Sequence, residues 1–128
     1  MKIALFWTGQ PRVIEKCCKT YGLWAHSEQH TIHNYYHFWY NENYSKGYLD
    51  ELFGACKSIY EPQIDFADTA TLTGGKFHAH GVSMLYSWKA ASSLANLDDY
   101  DLCVKLRTDL YFRKTIDEIL SLIDFNAI

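Results

Sequence analysis

The chain has 128 residues and a net charge of −3 with its histidines neutral. That length supports one hydrophobic core, and the charge leaves no basic footprint for nucleic acid. The composition, 48% hydrophobic and 21% charged, is that of a globular protein and excludes a disordered or fibrous one.

The opening MKIALFW is too short for a signal-peptide core or a membrane span. It reads as a first strand, Lys2 to Trp7, that stops at the turn signal Thr8-Gly9-Gln10-Pro11. Pro11 suits the first turn of a helix, where a missing N–H costs nothing. The helix is expected from Arg12 to about His26, with Val13, Ile14, Cys17, Cys18, Tyr21 and Trp24 at helical spacing. A β-rich run, Thr31 to Phe38, gives a second strand. A polar loop over 41–47 follows, then a helix from Tyr48 to Lys57 and a short strand from Ser58 to Ile64. Pro62 argues for a strand end or a sheet edge there. Ala67 to Lys76 reads as a Thr- and Gly-rich loop.

The longest helix is expected from Ala79 to Leu97, closed by Asp98-Asp99. Tyr100 to Leu106 is a strand, and Leu110 to Phe112 continues extended. Thr115 N-caps a last helix, with Glu118 three residues on as a capping box. Strand–helix alternation of this kind predicts an α/β fold in three layers, with a mostly parallel central sheet and helices on both faces, in a single domain over 1–128. Ligands of such sheets gather at the carboxyl ends of the strands. Two strands end there on polar signatures, Thr8-Gly9-Gln10-Pro11-Arg12 and Arg107-Thr108-Asp109.

Each signature has a specific chemistry. A glycine between a strand and a helix lets the backbone approach a phosphate, and Arg12 can add a bidentate, charge-assisted contact; an ordinary strand-to-helix turn with a solvated arginine explains the same residues. In an extended segment Arg107 and Asp109 face one side. There they can meet a diphosphate and its divalent counter-ion, or simply pair with each other.

His26, His30, His33 and His37 would form one stripe on a helix, where His33 and His37 make a zinc pair. The neighbours Ile32, Tyr35, Tyr36, Phe38 and Trp39 favour a strand instead, on which the stripe divides between alternating faces. His78 and His80 flank Ala79 before the long helix and face either a ligand or only solvent, the second being the simpler reading. Cys17, Cys18, Cys56 and Cys103 contain no CxxC pair and read as reduced, cytoplasmic usage rather than a disulfide framework. The ten Tyr and four Trp divide between core filling and a binding groove.

In order along the chain stand ALFWTGQPR, YYHFW, FHAHGVSMLYSWKAASSL and YDLCVKLRTDLYF. This set resembles the N-terminal half of small GT-A-type glycosyltransferases of bacterial capsule and viral glycan gene sets. Their pattern runs Gly-Gln-x-Arg, a strand ending His-x-Trp, a Ser-containing helix and Tyr-Asp…Arg-x-Asp-Leu. The resemblance implies a nucleotide-sugar donor held by Thr8, Gly9, Gln10, Arg12, Arg107 and Asp109. It also implies transfer of the sugar to a glycan or lipid hydroxyl, by catalytic residues that the motifs do not identify. The family's metal signature is Asp-x-Asp at this strand end, so Asp109 would hold Mg²⁺ or Mn²⁺. Arg107 replaces the first aspartate, cannot coordinate a cation, and would neutralise the diphosphate directly.

Only one helix follows that signature, which implies a donor half without its acceptor region. Two further readings share the fold: a non-catalytic binding module, and an interaction protein whose sheet edge pairs with a second copy.

Overall fold

The computed structural model describes residues 1–67 and 79–127. The expected loop from Ala67 to Lys76 lies, but for Ala67, outside them, as does His78. The described elements are β1 (Lys2–Gly9), α1 (Ile14–Ala25), β2 (Thr31–Trp39), α2 (Lys46–Phe53), β3 (Ala55–Glu61), α3 (Ala79–Ser92), β4 (Leu102–Leu106) and α4 (Ile116–Ser121). All strands pair in parallel, in the order β3-β2-β1-β4. The fold is therefore α/β, with a parallel sheet flanked by helices on both faces.

Ile3 to Trp7 are all fully buried, as a central parallel strand covered on two sides requires. Ile3, Leu5 and Trp7 face α1, α2 and α4, where they meet Ile14, Tyr21, Leu49, Phe53 and Ile116. Ala4 and Phe6 face α3 and pack with Tyr35 and Ala91. Aromatic residues dominate the first layer: Trp7 lies 5.1 Å from Tyr21 and 4.8 Å from Phe53, ring centre to ring centre. Full burial of a ring such as Phe53 contributes roughly 1.5–3 kcal/mol. The Trp7 indole N–H donates to Asn34 Oδ1 at 3.1 Å, which satisfies the polar edge of an otherwise dry core.

Several boundaries differ from the sequence reading, each for a local reason. α1 begins at Ile14, not Arg12, because Val13 takes a left-handed conformation (φ 48°) and acts as the N-cap without a side-chain bond. α2 ends at Phe53, not Lys57: Gly54 closes it in the left-handed region at φ 55°, the usual glycine stop. Cys56 and Lys57 pass into β3, which ends at Glu61 just before Pro62 and forms a sheet edge.

α3 stops at Ser92, where the Ser92 and Ser93 hydroxyls donate back to the carbonyls of Lys89 and Ala90. The Asn96 side chain then caps a separate 3-10 turn, Leu97–Asp99. β4 starts at Leu102, because Asp101 is spent on the Lys2 backbone. After β4 the chain does not continue as a strand. It folds back over α1, with Phe112 stacked on Trp24 at 5.0 Å. Thr115 caps α4 as expected, its Oγ1 accepting from the Glu118 N–H at 3.1 Å.

Val13 is a β-branched residue at positive φ, a rare conformation that costs an L-residue about 1–2 kcal/mol. Glycine removes that strain and loses roughly 0.5–1 kcal/mol of backbone entropy. Val13→Gly is therefore expected to stabilise the fold by about 0.5–1 kcal/mol in urea unfolding. A midpoint lowered by the full entropy cost would mean that Val13 carries no strain.

Candidate functional site

β1 is flanked by β2 on one side and β4 on the other. Its loop leads to α1 on one face, while α3, which precedes β4, covers the other. The carboxyl ends of β1 and β4 thus open a crevice where connections diverge, the position at which open α/β sheets bind ligands. A cleft of about 150 Å³ lies there. That is smaller than the roughly 300–1,000 Å³ of pockets that take a whole ligand, so it holds part of one, with the remainder along the open rim.

All six residues singled out from the sequence line this cleft: Thr8, Gly9, Gln10, Arg12, Arg107 and Asp109. One residue, Thr108, joins the two segments. Its hydroxyl, buried to 1% exposure, accepts from the Arg12 N–H at 3.0 Å and lies 3.0 Å from the Gln10 carbonyl and 3.1 Å from that of Arg12. The Tyr21 hydroxyl donates to the Thr108 carbonyl; burial pushes that phenol's pKa up and keeps it a donor. Sequence reasoning weighed Arg107 and Asp109 and passed over the threonine between them.

The loop is not the open cradle of N–H groups that its glycine suggests. Gly9, at φ 98°, gives its N–H to Ser87 Oγ at 3.0 Å. The Arg12 N–H is spent on Thr108, and Pro11 has none. Thr8 is buried, and its hydroxyl reaches toward the Leu106 carbonyl at 3.4 Å. The positive charge at the cleft is therefore carried by side chains. Arg12 and Lys105, both exposed, line the cleft with Arg107. Among the described residues, neither Arg12 nor Lys105 has a carboxylate within ion-pair distance.

Arg107 does have one. Its Nε donates to Asp109 Oδ1 at 3.1 Å and its NH2 to Oδ2 at 2.8 Å. The two side chains are 54% and 35% exposed, so the pair is open to solvent and its making or breaking is worth about 0–1 kcal/mol. As they stand, the residues do not fit a divalent cation. Asp109 is the one carboxylate among the described lining residues, and both its oxygens are taken by Arg107.

α3 supplies the opposite wall through His80, Ser83, Met84 and Ser87, spaced to share one helical face. His80 lines the cleft and is exposed to solvent, in line with both readings of it from the sequence. This wall was readable as HxxSMxxS, but polar residues on a helix usually mark its wet side. Gln10 and Gln63 bridge the rim at 3.0 Å, and Gln63 also donates to Ser83 at 3.1 Å.

His30, His33 and His37 are structural partners rather than a metal stripe. β2 carries His33 and His37 on one face, because four residues are two full strand repeats, while His30 lies before the strand and meets the N-terminal amine. His33 meets the Tyr100 hydroxyl, and His37 is fully buried between Ser87 and Glu61. All four cysteines are free. The aromatic residues go mainly to the core: Trp7 and Trp39 are at most 2% exposed. Among the described residues, no helix is long and apolar enough to cross a membrane.

No family model matches the chain, and no curated protein or solved structure is significantly similar to it.

Proposed function

We propose that the chain is the donor-binding part of a nucleotide-sugar glycosyltransferase of the GT-A type. It would hold the diphosphate of the donor in the β1–β4 crevice and present the sugar to a glycan or lipid hydroxyl. The observation that carries this reading is the convergence of Arg12, Lys105 and Arg107 on one cleft with a single carboxylate among its described residues. A diphosphate carries the matching charge. Guanidinium groups bind its oxygens in pairs, and cations placed there stabilise the leaving nucleotide as the glycosidic bond breaks.

Titration with UDP- and GDP-sugars, with and without Mn²⁺, tests the reading. Millimolar donor without any binding removes it. Asp109→Asn separates the two roles of the acid. In metal-free buffer it is expected to tighten diphosphate binding a few-fold, because it removes the negative charge and one of the two acceptors that hold Arg107. Weaker binding, seen only with Mn²⁺ present, would instead make Asp109 a cation ligand.

A second reading, a binding module without turnover, is favoured by one feature: the only carboxylate among the described cleft residues is already paired and is not free to act as a base. Release of free sugar or transferred product in a donor assay counts against it.

A further inference from the structure

Behind the cleft runs a chain of hydrogen bonds that the proposed donor site does not explain. The Gly9 N–H donates to Ser87 Oγ at 3.0 Å. Ser87 Oγ lies 2.7 Å from His37 Nδ1, and His37 Nε2 lies 2.8 Å from Glu61 Oε1. Four elements contribute one residue each: β1, α3, β2 and β3. Ser87 and His37 are 1% and 0% exposed, whereas the Glu61 side chain is 31% exposed.

The directions of these bonds follow from chemistry. A carboxylate only accepts, so Nε2 carries the hydrogen; with that tautomer Nδ1 accepts from the Ser87 O–H at 2.7 Å, a shorter contact than the 3.3 Å to the His37 carbonyl. Ser87 oxygen thereby has its lone pair free for Gly9. Every donor points the same way, from the glycine turn to Glu61, and bonds aligned in this manner strengthen one another. The rings of Trp39 and Tyr86 close the site around His37 at 4.7 and 5.7 Å, so no water competes for Nδ1. Ser87 Oγ is held from both sides, by the Gly9 N–H and by His37, as a fixed support requires.

We infer that Glu61, His37 and Ser87 are positioning residues that hold the Gly9 turn, and through it Gln10 and Arg12, in the geometry that receives the ligand's phosphates. The inference rests on the donor-site reading above, of which it names the supporting framework. Glu61 does not line the cleft, so it acts through the chain and not by contact.

Electrostatics and positioning predict opposite signs, which makes the inference testable. Removing a nearby negative charge strengthens anion binding through space. Removing the acceptor that orients His37 weakens it by loosening the turn. Inorganic pyrophosphate, titrated calorimetrically into the full chain, is the probe. Glu61→Ala is expected to bind it five- to ten-fold more weakly than the parent. Glu61→Gln loses the charge but keeps an oxygen that accepts from Nε2, and is expected to bind as tightly as the parent or tighter.

Ser87→Ala removes one oxygen at a helix position that alanine favours, so the fold is retained. It should weaken binding by a similar factor, and the double variant with Glu61→Ala should be no worse than the weaker single one, as members of one network behave. Glu61→Ala binding as tightly as the parent, or losses that add in the double variant, overturn the positioning role and leave the donor site standing. A parent chain that binds no pyrophosphate removes both.

Discussion

Replacing Thr108 with valine is expected to destabilise the protein by about 2–3 kcal/mol and to weaken pyrophosphate binding at least ten-fold. The two side chains have nearly the same shape, so no cavity forms. The change deletes one oxygen that meets the Arg12 N–H at 3.0 Å and lies within 3.1 Å of two carbonyls. A buried donor left without a partner costs about 1–3 kcal/mol, and at 1% exposure no water reaches this one. The binding loss has a separate origin: the threonine hydroxyl ties the backbone of Arg12 in the β1 loop to the segment that carries Arg107 after β4. Thr108→Ser keeps the oxygen and should restore binding while recovering most of the stability. Urea unfolding and calorimetry of the two variants check both halves. Equal behaviour of the valine and serine variants would show that the hydroxyl is dispensable.

Removing Arg12 and Lys105 should have the largest effect on binding itself. Each alanine substitution is expected to weaken binding of a nucleoside diphosphate about ten-fold, or about 1.4 kcal/mol. The double variant should lose about a hundred-fold. Near-additivity is expected because the two residues sit on different elements and neither is held by a carboxylate among the described residues. Both side chains are exposed, so added salt screens them: the parent's affinity should fall as salt rises, and the double variant's should fall less. Folding should be unaffected, which thermal unfolding verifies. Affinity unchanged in the double variant would mean that the anion sits elsewhere.

The sheet and the location of the site were legible because their causes are local. Ile3 to Trp7 is a continuous apolar run, and such runs mark central parallel strands; the turn signals at Thr8 and Arg107 then fix which sheet edge carries polar groups. The ends of elements were less legible. Nothing in the residue type announces that Val13 turns left-handed, and Gly54 was readable as a helix stop but competed with an apolar pattern that runs on through Cys56.

The supporting groups were least visible of all. Thr108, Ser87 and Glu61 are ordinary polar residues in sequence, and their roles arise from partners 96, 78 and 24 positions away. His37 was read correctly as a strand residue, but its partners on α3 and β3 were not visible in its neighbours.

The pairing of β4 with β1 has a consequence for how the chain acquires its shape. Lys2 must find Asp101 across 99 positions, and the flank of β1 stays bare until it does. Closing so long a loop is slow compared with forming the β1–α1–β2 unit. During synthesis the β1 flank is an unpaired edge, and the cleft stays incomplete until β4 brings in the wall that carries Lys105 and Arg107.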